Sequence, residues 1–77
     1  MMTTDSSTAT IAAVDLKIGD FMYSERVDKY CEIVNRWDGK NGRVTLVLDE
    51  GFMTSAGEKV LSPFIVQAQS RFRAWAV

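Results

Sequence analysis

The sequence predicts an all-β domain, a small antiparallel barrel or strongly bent sheet of five to six short strands. Three observations carry this. Lys29 to Glu50 reads KYCEIVNRW, then DGKNG, then RVTLVLDE, two β-rich runs around a dense cluster of turn residues. Further short apolar runs, separated by Gly- or Pro-containing breaks, follow as far as Arg71–Val77. No stretch sustains the apolar period of a long helix, and no segment repeats.

Taken in order, residues 1–13 are mostly small and polar, with Thr, Ser and Ala dominant, and read as a disordered or frayed N-terminal tail. A short helix, or pairing of the tail with an edge strand in an oligomer, is the alternative. The domain proper is residues 14–77. In VDLKIGDF, Val14, Leu16 and Ile18 alternate with charged residues before Gly19-Asp20 marks a turn. Gly allows the bend, and the Asp carboxylate can accept backbone N–H groups of the turn. Phe21-Met22 then opens a strand, and Tyr23–Asp28 reads as a loop.

Parity sets the expected register of the hairpin. Cys31, Ile33 and Trp37 share one face of the first run, and Val44, Leu46 and Leu48 share one face of the second. A loop with an even number of residues puts Ile33 and Trp37 beside Val44, Leu46 and Leu48. An odd loop would bury Glu32 and Arg36 instead. The expectation is therefore an even loop, Gly39–Gly42 or the tighter Asn41-Gly42 turn, whose residues favour type I′ geometry. Tyr30, Val34 and Val47 then form a second apolar face.

Asp49-Glu50-Gly51 is expected to end that strand, and Phe52–Ser55 to form a short one closed by Ala56–Glu58. Pro63 has no N–H for a ladder and belongs at a strand start or edge. Phe64–Val66 reads as a strand, and Gln67–Ser70 as a single short turn. In the last strand, Phe72, Ala74 and Ala76 alternate with Arg71, Arg73, Trp75 and Val77. The approach to Gly19-Asp20, the strand after it and the turn before the last strand resemble small SH3-like barrels, including those with KOW-type openings. The resemblance spans residues 14–77 and implies that the loop after the first strand helps to shape a binding groove.

The chain has 77 residues, one Cys and no His. So small a domain has a thin stability margin, and one cysteine allows no internal disulfide. Four nitrogen or sulfur ligands for structural zinc are not at hand, and no metal or cofactor is expected. Homo-oligomerisation is the remaining common means of support. No secretory signal or transmembrane segment is evident, and an unpaired Cys suits a reducing compartment, so a cytoplasmic setting is expected. The short chain and its Thr/Ser-rich start suggest an accessory protein of a bacterium or bacteriophage.

Net charge is −1. Up to Gly39, four basic residues face seven acidic ones; beyond it five basic face three acidic, a mild asymmetry rather than the basic footprint of a duplex-binding protein. Catalytic signatures are nearly absent: the common general base is missing, and Cys31 sits on the predicted core face as a small hydrophobe. Asp49-Glu50 point to opposite faces of a strand and read as a solvated turn. No enzyme is expected.

Two groups could bind. Arg71, Arg73 and Trp75 alternate onto one face of the last strand, two cations and a large aromatic in a row. With the second apolar face, Tyr30, Val34 and Val47, they are the candidate protein-partner residues. The ordinary reading is that Trp75 packs in the core and the arginines solubilise. The rival reading is a nucleic-acid surface made of Arg71, Arg73 and Trp75 with Arg36, Lys40 and Arg43 near the hairpin tip. The functional expectation is a non-catalytic protein-interaction module that self-associates, with nucleic-acid binding as the alternative.

Overall fold

A computed structural model describes residues 8–75. They form six strands in one antiparallel sheet: β1 (Thr8–Ala12), β2 (Phe21–Ser24), β3 (Lys29–Asp38), β4 (Arg43–Met53), β5 (Lys59–Gln67) and β6 (Arg71–Trp75). Their order across the sheet is β1-β6-β2-β3-β4-β5. One face of the sheet supplies a single core of Met22, Cys31, Ile33, Val44, Leu46, Leu48 and Ala74. Ala13 and Leu16 from the β1–β2 connection join it, and Ile11, Phe64, Val66 and Phe72 pack against it. Residues from all six strands meet in that cluster, so the sheet curls around its own apolar face.

The expected tail ends earlier than residue 13. Thr8–Ala12 pair along β6, from Thr8 opposite Trp75 to Ala12 opposite Arg71, and Ala13–Asp15 form a short 3-10 helix. The rest of the expected tail lies outside the described residues. Among the alternating apolar residues that follow, only Leu16 is buried, while Val14 and Ile18 are exposed. Gly19 takes a φ of 99°, and the Asp20 carboxylate accepts the Lys17 N–H at 3.0 Å, the turn chemistry that Gly-Asp suggests. The expected loop at Tyr23–Asp28 starts late, since Tyr23 and Ser24 pair with Tyr30 and Lys29 in the β2–β3 ladder.

The expected Asn41-Gly42 turn is found, but the register that parity predicts fails from Asp38 to Asn35 and is met only at Ile33 and Glu32. At the tip, Asn41 and Gly42 both take positive φ, and the Arg43 N–H bonds the Lys40 carbonyl. Those are the φ signs of the two-residue turn that Asn-Gly favours. The Gly39 N–H then bonds the Arg43 carbonyl, which carries the pairing one step out, to Asp38 opposite Val44. From there Trp37 faces Thr45 and Arg36 faces Leu46. A bulge at Val34 takes up the extra residue, and Ile33 meets Leu48 as parity requires. Ile33 is fully buried, whereas Trp37 stays 49% exposed on the outer face.

Asp49-Glu50-Gly51 does not end β4. Gly51 adopts a φ of 90° and the ladder shifts register between Leu48 and Phe52, so the strand runs on to Met53. Residues 59–67 are likewise one strand. Pro63 lies within it, on an edge of the sheet, as its missing N–H demands. The Gln67–Ser70 turn closes with the Ser70 N–H on the Gln67 carbonyl. Backbone bonds from Ala13 to Ser70, Val14 to Ala68 and Ala68 to Gly42 tie the end of β1 and two turns together at one end of the curled sheet.

Candidate binding site

The alternation on β6 places Phe72 and Ala74 inward and Arg71, Arg73 and Trp75 outward, with Ala74 fully buried. Pairing of β6 with β2 sets Phe21 opposite Trp75, and their rings lie 5.9 Å apart at 43°. Two residues further along each strand, the Arg73 guanidinium lies 4.1 Å from the centre of the Tyr23 ring. Tyr23 meets Tyr30 of β3 edge to face at 5.5 Å. The outer face of β6-β2-β3 is thus a row of four aromatic rings with a guanidinium stacked on one of them. The Tyr23 hydroxyl donates to the Asp28 carboxylate, which holds the phenol above its ordinary value.

Beside this face opens a cavity of about 560 Å³. Met22, Ser24, Leu48, Phe64 and Phe72 line its depth, all from the core side of their strands. Tyr23, Glu25, Arg26, Arg71 and Arg73 complete the lining. Arg26 lies over the Phe64 ring at 5.3 Å and pairs with Glu50. Arg71 donates to the Thr10 carbonyl at 2.9 Å, and neither Arg71 nor Arg73 has an ion pair among the described residues.

Glu50 departs from the expected solvated turn. Its neighbour Asp49 does face out, bonded to Lys59 at 2.8 Å, but the Glu50 side chain has no exposed surface. Ser24, Arg26 and Ser62 all donate to its carboxylate. Burial pushes the carboxyl up; the three donors outweigh it and hold the group below its usual range. Sequence held one signal for this network: Ser62 occurs in phase with the inward Phe64 and Val66, and an inward polar residue needs a partner.

Beyond Glu50 and Ser62 the β4–β5 hairpin projects as an arm in which every residue from 51 to 61 is exposed. Phe52 pairs with Val60 and Met53 with Lys59, and Leu61 follows. Ile65, 70% exposed, continues the apolar surface down β5 to Trp37, the two flanking Thr45 of β4.

The residues singled out from sequence are therefore split. Arg73, Trp75 and Tyr30 share the aromatic face, joined by Phe21 and Tyr23, which sequence reasoning missed because Phe21 fell in a strand of unknown register and Tyr23 was expected in a loop. Arg71 lines the cavity with Arg73. Val34 is the half-buried bulge residue, and Val47 is buried between Asn35 and Pro63, so neither extends that surface. Lys40 and Arg43 are exposed at the tip, but Arg36 turns away from them, bonding the Val14 carbonyl at 3.4 Å and Asp38 at 3.2 Å. Cys31 is buried in the core, where burial, with Glu50 nearby, pushes its thiol pKa up. Among the described residues no group of three or more His, Cys, Asp or Glu could hold a metal ion, and no helix is long and apolar enough to cross a membrane. No protein-family model, curated protein or solved structure matches the chain, so the reading of its role starts from these surfaces.

Proposed function

We propose that the protein is a non-catalytic interaction module that self-associates through the β4–β5 arm. The observation that carries this is the arm itself, a two-stranded projection with Phe52, Met53, Val60 and Leu61 exposed. A lone hairpin in water is marginal, and contiguous exposed apolar surface marks an interface. A second copy is the favoured occupant, because a chain this short with a single cysteine has association as its remaining support. The proposal includes an SH3-like barrel with β1 added at one edge. The succession β6-β2-β3-β4-β5 and the tight turn before β6 support it. The setting proposed is the cytoplasm of a bacterium or a phage-infected cell.

Light scattering across a concentration series tests the association. The expected result is an oligomer that Phe52→Ser with Val60→Ser converts to a folded monomer. A wild-type chain that stays at 8.6 kDa at high concentration overturns the proposal.

One observation favours a second reading, single-stranded nucleic-acid binding: Arg73 stacked on Tyr23 beside the Phe21–Trp75 pair provides rings and a cation on one face. Oligonucleotide affinity at two salt concentrations tests it. Phosphate contacts require the affinity to fall as salt rises.

A further inference from the structure

We propose that the cavity beside β6 is a docking site for an acidic segment of a partner protein, one that carries an apolar or aromatic side chain next to a carboxylate. This site is separate from the arm and stands whether or not the chain self-associates. Its floor and its opening ask for different chemistry. Met22 and Leu48 are buried aliphatic groups at the bottom, and the half-buried rings of Phe64 and Phe72 flank them. Such a floor accepts an apolar side chain and offers little to a polar one.

The opening carries three guanidinium groups, of which only Arg26 is matched by a carboxylate, the buried Glu50. Arg71 and Arg73 are exposed and have no ion pair among the described residues. A guanidinium binds a carboxylate in a fixed, two-bonded geometry, so the pair supplies both charge and orientation. Charge complementarity therefore selects an anion, and the apolar floor selects one with a hydrophobic body. A polynucleotide fits less well. Its repeated phosphates would meet Glu25 at the same opening and a chain of net charge −1, and Ser24, the polar residue in the depth of the cavity, already donates to Glu50 rather than to a base edge.

The probe is the capped tripeptide acetyl-Asp-Phe-Asp-amide, titrated into the ¹⁵N-labelled full chain, with acetyl-Asn-Phe-Asn-amide and oligo(dT) as comparison ligands. Saturable shifts are expected at amides of residues 22–26 and 71–73 with the acidic peptide. The Asn peptide is expected to bind about tenfold more weakly or worse, as is the Arg71→Gln/Arg73→Gln variant. Because Arg71 also holds the Thr10 carbonyl, Arg73→Gln alone serves as the variant that leaves β1 anchored. Equal binding of both peptides, or indifference to Arg73→Gln, overturns the site. Tighter binding of oligo(dT) at the same amides overturns it in favour of nucleic acid. Loss of self-association in Arg73→Gln with no peptide shifts overturns it in favour of a second copy as occupant.

Discussion

The carboxylate of Glu50, without exposed surface, is ion-paired to Arg26, whose side chain remains 56% exposed. The contact joins the root of the β4–β5 arm to the β2–β3 turn. Its two ends differ in cost of removal. Arg26→Ala strands a buried carboxylate, whereas Glu50→Gln keeps an acceptor for Ser24 and leaves an arginine that water can solvate. Arg26→Ala is expected to cost about 2 kcal/mol, below the range for breaking a fully buried pair because solvent already reaches the guanidinium. Glu50→Gln should cost less. Urea unfolding of both variants decides the order, and the reverse order would remove the argument.

Acid should weaken the fold through the same group. The folded Glu50 carboxyl titrates below its unfolded value of roughly 4.3, so between the two values the unfolded chain binds more protons and stability rises with pH. The contribution is complete above the unfolded value and disappears as pH falls through the folded one. Asp49, held down by Lys59 and the Gly51 N–H, adds in the same sense. Melting temperatures from neutral pH down to strong acid should fall less steeply in Glu50→Gln than in the wild type.

Substitutions in β3 report the bulge. Ile33 lies in the core opposite Leu48, while Trp37 lies outside opposite Thr45. Ile33→Ala is expected to cost about 2–5 kcal/mol. Trp37→Ala should cost under about 1 kcal/mol, despite the larger ring. Comparable losses for the two would mean that Trp37 is inward after all.

Cys31 should behave as packing rather than as a nucleophile. Its thiol is buried and its pKa raised, so a disulfide reagent such as Ellman's should label it slowly in the native chain and at once in denaturant. Rapid native labelling would contradict the burial of β3.

Much of the fold was legible because local rules and burial agree there. Asn41-Gly42 demands positive φ, Pro63 demands an edge, and Phe72 and Ala74 alternate with charge; each feature is found where its chemistry requires. The candidate site was legible in part. Arg71, Arg73 and Trp75 announced an outward face, but the rings beside Arg73 and Trp75, Tyr23 and Phe21, come from a strand far earlier in the chain. No local pattern shows which strands become neighbours. β1 was hidden for a related reason: Thr8–Ala12 continues a run of small Thr, Ser and Ala residues with Ile11 as its one large apolar side chain, and its extended form comes from the ladder it makes with β6.

Residue order alone determined an all-β chain, the chemistry of its principal turns, and which residues of β6 face outward, since these follow from steric limits and a period of two. Tertiary structure decided the rest. The bulges at Val34 and between Leu48 and Phe52 depend on bending two long strands around one core, and each shift in register changes which side chains are buried. That is why Trp37 lies outside, why Glu50 lies inside with Ser24 and Ser62 under the exposed Arg26, and why Arg71 and Arg73 flank an apolar cavity. Periodicity is local, but the curl of the sheet and the order of its strands are properties of the whole chain.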